Sequence, residues 1–307
     1  MQDFNAPLRS VRYMSAAVAF IALSLSACSS ETDSSSVDGN NNSENTPTLT
    51  DSSLSNNVPK PDFDAVWMPS RVALDDPRWR IEDLACDGCT AEGFALMQTL
   101  LANPENNERS IAELKEEISA FEKMRLEQNL TAAAQTSITE HDASEDPALD
   151  CTPDGDSLAH QVGAPIPNSI EQLDDRVMLR YEYWNAERTA YTDGRPVPSD
   201  LEPSRLGFST AHYEGDTLVV ETTGLIPWSL GVGTRNAQSI NLRVALSDQL
   251  KIIERFSLED DGNRLLMEFA LIDPVNLKEP LVEVSHRLRS PGWTLEPYIC
   301  EETTGEF

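Results

Sequence analysis

The spacing of apolar residues along this chain changes period near its middle. Between residues 68 and 150 the recurring steps are three and four. Ile111, Leu114, Ile118 and Phe121 fall on one helical face, and Ser110-Ile-Ala-Glu113 has the spacing of a capping box. A shorter helix over Ala91 to Ala102 would carry Phe94, Met97 and Leu101 on one side. The two helices are expected to pair antiparallel and pack on a larger core. From Thr131 to Asp150 the pattern dissolves into Ala, Ser, Thr and acidic residues, which predicts an exposed linker.

After Pro153 the period falls to two. Leu179-Arg-Tyr-Glu-Tyr-Trp184 alternates, turns at Asn185-Ala-Glu187 and resumes as Arg188-Thr-Ala-Tyr-Thr192. Gly207 to Tyr213 and Thr217 to Thr222 flank Glu214-Gly-Asp216. Leu250 to Phe256 and Arg264 to Ile272 flank Asp260-Asp-Gly-Asn263, and Asp-Gly between alternating runs is a strong hairpin signal. Pro280 to Arg289 and Thr294 to Cys300 complete a set of about eight strands. Short turns predict a mainly β fold: an antiparallel up-and-down β-barrel or a strongly curved sheet, since closure removes exposed edges. A small α-helical segment precedes it. The expected organisation is a helical segment and linker over 59–150 and a β domain over 151–307.

The N-terminus carries a different pattern. Arg9 and Arg12 precede the apolar run Met14 to Leu25, which ends in Leu25-Ser-Ala-Cys28. A basic flank, a short apolar core and small residues before a cut mark a secretory signal. Serines break the run short of the roughly twenty apolar residues that a spanning helix needs. Leu25-Ser26-Ala27-Cys28 resembles the lipobox of bacterial lipoproteins. The resemblance implies that 1–27 is removed and that Cys28 is lipidated, so that N-terminal acyl chains hold the protein on a membrane. Ser29, in place of aspartate, implies the outer membrane by that family's sorting rule. Residues 28–58 are almost devoid of large apolar side chains. Such a stretch cannot offset its ordering entropy and reads as a disordered tether.

Charge and cysteines narrow the chemistry. The 307 residues hold 23 Lys and Arg against 52 Asp and Glu, a formal net charge of −29. Nucleic acid is thereby excluded as a partner, because phosphate binding needs clustered positive charge. With Cys28 assigned to lipid, Cys86, Cys89, Cys151 and Cys300 remain. In an oxidising compartment they predict disulfides, with about three connectivities open; a four-cysteine zinc site is the alternative. Cys86-Asp-Gly-Cys89 opens a helix, a setting that suits thiol–disulfide exchange, but no βαβ pattern surrounds it. There is no P-loop, dinucleotide fingerprint or HExxH motif, so no cofactor and no metal are expected.

In the C-terminal half, Cys151-Thr-Pro-Asp-Gly155, Tyr191-Thr-Asp-Gly-Arg-Pro196, Tyr213 to Gly224, Ser247 to Phe256, Ile272-Asp-Pro274 and Leu295-Glu-Pro-Tyr-Ile-Cys300 follow one another in a fixed order. Together they resemble a group of secreted bacterial proteins without an assigned activity. The group usually has Trp where Tyr213 stands and His where Leu246 aligns. The resemblance implies a Cys151–Cys300 bridge and leaves Cys86 to pair with Cys89. Asp64-Ala-Val-Trp67 is similar to the opening Gly-x-Trp of lipocalin-like barrels, with Ala65 in place of Gly.

The strands carry charges near their middles. Arg180, Glu182, Trp184, Arg188, Glu221, Glu254, Glu268, Glu283 and Arg287 are the candidate ligand-binding residues. They would line a polar lumen that receives a small amphipathic ligand. The plain alternative is the wet face of a sheet with cross-strand ion pairs. A non-enzymatic, lipid-anchored envelope protein is the leading expectation. An enzyme using Glu, Arg and His as acid–base groups in the same barrel is the second, and an envelope scaffold or adaptor the third. His212 or His286 converging with two carboxylates in a cleft would favour the enzyme. His141 and His160 fall in loops, and Ser209 lacks the second Gly of a nucleophile elbow.

Overall fold

The structure, a computed structural model, describes residues 60–69, 76–140, 142, 151, 157–232 and 244–301. The lipobox, the tether, His141 and the His160 side chain lie outside the described residues.

The chain begins with strand β1 (Ala65–Pro69), then the short helix α1 (Ile81–Ala85), the two-residue strand β2 (Cys89–Thr90) and helices α2 (Ala91–Ala102) and α3 (Ile111–Asn129). Both longer helices follow the apolar spacing. Thr90 caps α2 by accepting from the Gly93 N–H at 2.9 Å. Ser110 and Glu113 form the expected reciprocal box at the head of α3. The buried face of α3 is Leu114, Ile118, Glu122 and Leu126; Phe121 is half-buried. The α2–α3 crossing is close: a Cβ on Gly93 would lie 2.6 Å from Glu122 Oε1. Beyond α3, the expected linker is instead helical over α4 (Ala132–Glu140). Ala134 is fully buried in the main core and Leu130 bridges to Leu277, so tertiary packing orders a stretch whose own pattern is weak.

Next come α5 (Leu158–Gly163) and the strands β3 (Asn168–Gln172), β4 (Arg176–Tyr181), β5 (Ala186–Tyr191), β6 (Phe208–Glu214), β7 (Thr217–Thr223), β8 (Trp228–Val232), β9 (Val244–Leu246), β10 (Lys251–Glu259), β11 (Arg264–Ile272) and β12 (Leu281–Arg289). Nine of these strands close a barrel in the order β1-β3-β4-β5-β6-β7-β10-β11-β12, with β12 pairing back onto β1. The fold is the mainly β, closed barrel that the meander predicts. Its ladder is antiparallel except between β5 and β6, where Ala190 pairs with Ser209 in parallel. Trp67 of β1 pairs with Arg289 on one side and Asn168 on the other. The barrel's first strand thus lies upstream of the helical segment.

Two local expectations differ from the structure. The strand through Tyr181 stops there: Tyr183–Asn185 form a 3-10 turn in which Trp184 has φ 58° and Asn185 has φ 48°. Thr294 to Cys300 forms no strand. The edge of β12 not facing β11 is already shared by β1 and β2. The segment is held instead by Asn185, which accepts from the Tyr298 N–H at 2.9 Å, and by Glu182, which accepts from the Glu296 N–H at 3.0 Å.

The main core is made of inward residues of successive strands, such as Leu179, Leu218, Ile252, Phe256, Met267 and Phe269. Leu158 and Val162 of α5 and Trp228 of β8 join the same cluster. A second, smaller cluster under α1–α3 holds Ala85, Cys86, Cys89, Met97 and Ile118. Cys86 bonds Cys89 and Cys151 bonds Cys300, the pairing that the family resemblance implies. A four-cysteine zinc site is ruled out, since all four sulfurs are spent.

Candidate functional site

Among the described residues, the interior face of the barrel is largely apolar, with one polar cluster centred on β5 and β10 and further polar side chains on β12. On β5 the inward positions alternate as Ala186, Arg188 and Ala190, and on β10 as Ile252, Glu254 and Phe256. Period two therefore turns Arg188 and Glu254 into the lumen together with their apolar neighbours. Their side chains retain 3% and 1% exposure. Arg188 Nη2 donates to Glu254 Oε1 at 2.6 Å and also reaches Oε2. The same nitrogen donates to Tyr181 Oη at 2.9 Å. Nη1 donates to Thr222 Oγ1 at 3.0 Å and to Ser209 Oγ at 3.3 Å. Ser209 and Thr222 lie 2.8 Å apart and share a further hydrogen bond. Strands β4, β5, β6, β7 and β10 thus each contribute one polar side chain to a single focus.

Burial alone would lower the Arg188 pKa, but the Glu254 charge and the hydrogen bonds to Glu254 and Tyr181 overcome it and hold the guanidinium above its ordinary value. Arg188 Nε is buried and has no hydrogen-bond partner among the described residues. An unfilled buried donor costs about 1–3 kcal/mol, which makes this nitrogen the natural place for an acceptor on a bound molecule.

Glu283 and Arg287 also turn inward on β12, opposite Phe269 and Leu265. Arg287 donates to Ser285 and, at 3.0 Å, to the Ala164 carbonyl. It pairs with Asp87 at 3.3 Å. Asp87 lies in the Cys86–Cys89 disulfide loop and accepts from Ser285 Oγ at 3.0 Å. This loop approaches β12 between the residues that pair with β2 and those that pair with β1.

The other candidates do not reach the lumen. Arg180 faces outward between Glu171 and Glu187, both at 2.6 Å, because Val177, Leu179 and Tyr181 claim the inward face of β4. Glu221 pairs outside with Lys251. Glu268 lies on the outer face opposite Arg255. Glu182 belongs to the β4–β5 turn, and Trp184 packs against Tyr183 and Tyr298 beyond the strand. Tyr181, Ser209 and Thr222 were missing from the candidate set. The parity of β4, β6 and β7 relative to Leu179, Ala211 and Val220 is the signal that finds them.

Neither strand histidine joins the lumen carboxylates. His212 is exposed, 3.2 Å from Glu214. His286 is buried outside the barrel under α1, with Nδ1 3.4 Å from Asp83 Oδ1 and Nε2 3.9 Å from Glu259. Asp83 also pairs with the fully buried Arg264 and accepts from the Arg80 N–H at 3.1 Å. Burial, reinforced by the charges of Arg264, Arg80 and Arg287, pushes His286 down to about 3. Among the described residues, no group of three or more His, Cys, Asp or Glu could hold a metal ion. A cleft of about 340 Å³ lies between α2, α3 and the β11–β12 turn. Its cations are committed, Arg125 to Glu92 and Lys278 to the Gln128 carbonyl.

No family model matches the chain, and no curated protein matches it. Among solved structures, the chain is similar to the fluorescent protein UnaG in its N57A mutant form. Identity is 15%, the match covers 40% of this chain and 70% of that one, and the TM-score is 0.24.

Proposed function

We propose that this is a lipid-anchored protein of the bacterial envelope whose barrel binds a small amphipathic molecule, without catalysing a reaction on it. The observation that carries the reading is the Arg188–Glu254 focus. It is a charged, hydroxyl-rich cluster sealed among apolar walls, with one guanidinium donor left without an acceptor. Ligand sites of this kind are largely apolar and carry a few convergent polar groups that fix orientation. Anchoring rests on the lipobox ending at Cys28 and the tether behind it. Two disulfides suit an exported, oxidising location, with the outer membrane as the address that Ser29 favours.

Mass spectrometry of protein purified natively from its host tests the binding reading. A co-purified small molecule of constant mass is expected. Repeated preparations that carry nothing would overturn it. Radioactive palmitate labelling of the wild type and Cys28→Ala tests the anchor, and equal labelling in the two would remove it.

A further inference from the structure

We infer that the lumen selects an electrically neutral, carbonyl-bearing acyl compound, an ester or amide, over the matching free carboxylate; this rests on the binding reading above. The inference comes from charge and donor accounting at the focus. Arg188 is already neutralised by Glu254, and the second inward cation, Arg287, is paired with Asp87. Glu283 adds a buried carboxyl to the same face of β12. The described lumen therefore offers no surplus positive charge, and an incoming carboxylate would be buried without a counter-ion. That is the costliest way to bury a polar group.

Donors, in contrast, are in excess. Arg188 Nε has no hydrogen-bond partner among the described residues. Ser209 and Thr222 hydroxyl oxygens both face Arg188 Nη1, and they share one hydroxyl hydrogen between them. The other hydroxyl hydrogen is matched to no acceptor among the described residues. A carbonyl oxygen has two lone pairs and no charge, and so answers this pair of donors. On its own strand Arg188 is flanked inward by the small Ala186 and Ala190, while Leu179 lies opposite it on β4 and the Tyr181 ring lies over its guanidinium.

The test compares methyl dodecanoate, dodecanamide and dodecanoate by titration calorimetry at pH 7.4. The full-length protein is held in nanodiscs, and empty nanodiscs are the blank. The ester and amide are expected to bind about tenfold or more tighter than the carboxylate. Glu254→Gln leaves Arg188 as an uncompensated cation, and there the order should reverse in favour of dodecanoate. If the variant fails to fold, the wild-type order still decides. A wild type that binds dodecanoate as tightly as the ester overturns the neutral-head inference and leaves the binding reading standing. Absence of binding by all three probes overturns the inference too, and the co-purification measurement then judges the broader reading separately.

Discussion

Arg188 of β5 and Glu254 of β10 form an ion pair inside the barrel across the two strands, β6 and β7, that separate them in the sheet. Breaking one side of such a pair strands a buried charge. Glu254→Ala should lose about 3–5 kcal/mol of stability in urea unfolding, whereas the double replacement Arg188→Met/Glu254→Leu should be about neutral or more stable. The double variant should also lose any co-purifying ligand. A double variant as unstable as the single one would mean that the pair and its hydroxyl neighbours hold the barrel together rather than serve a bound molecule.

The course of the strands was legible in the sequence because one face of each is buried, so that apolar residues recur at every second position. The β10–β11 hairpin shows this directly: Asp260-Asp-Gly-Asn263 punctuates two alternating runs, and the strands end where the alternation ends. The same logic misled on charges. Arg180 and Arg188 both sit mid-strand in aromatic surroundings, yet β4 buries Leu179 and Tyr181, which sends Arg180 to solvent. Placing each charge needed the parity of its strand relative to the bulkiest apolar neighbours. Helix α4 was illegible for another reason. Its residues have little pattern of their own, and the partners that order it come from β9 and from Leu277, more than a hundred residues away.

Asp83 makes α1 part of the barrel wall. It pairs with Arg264, lies against His286 and accepts from the N–H of Arg80. Asp83→Ala would leave Arg264, which has no side-chain exposure, short of its buried partner. The expected loss is about 3–5 kcal/mol. Asp76→Ala, which removes the exposed pair with Arg78, should change stability by less than about 1 kcal/mol. Parallel urea curves for the two variants check the contrast, and similar losses would contradict it.

His286 should confer a pH dependence of a defined sign. Its pKa in the folded chain is about 3, below the ordinary 6.5. Between those values the unfolded chain therefore binds the additional proton. Stability is complete above about pH 6.5 and declines as the pH falls, by up to about 1.4 kcal/mol per pH unit. Between about pH 6.5 and 5 most carboxylates stay ionised, which isolates the histidine. His286→Gln should flatten the wild-type decline in urea midpoint over that window. An unchanged slope would show that the imidazole is protonated in the folded state, with Asp83 as its counter-ion.

Trp67 and Arg289 lock the first strand to the last. Trp67 is fully buried, its indole N–H donates to the Phe63 carbonyl at 3.1 Å, and the Arg289 guanidinium lies 4.8 Å from its ring centroid. Arg289 also donates to the carbonyls of Gly262 at 2.7 Å, Asp64 at 3.0 Å and Asp62. Trp67→Ala should lose about 3–5 kcal/mol. Arg289→Lys keeps the charge but cannot reach three diverging carbonyls, and should lose about 1–3 kcal/mol. A lysine variant with wild-type stability would show that charge over the indole, rather than the forked hydrogen bonding, holds the two strands.

The two disulfides should differ in what they contribute. Cys151 and Cys300 are separated by 149 residues in sequence, and Cys86 and Cys89 by 3. In the chain-entropy account a cross-link restricts the unfolded chain more as its loop grows. This gives about 5 kcal/mol for the long loop and about 1.6 kcal/mol for the short one. Cys151→Ser/Cys300→Ser should therefore shift the urea midpoint far more than Cys86→Ser/Cys89→Ser. The short bridge has a local role instead, since its loop carries Asp87 to Arg287 and Ser285. Its loss should raise protease sensitivity around residues 85–90 and give the smaller of the two losses in global stability. If the short bridge proves the more stabilising, loop entropy does not govern how the two bridges rank. The buried packing of Cys86 and Cys89 against Met97 and Ile118 would then account for the difference.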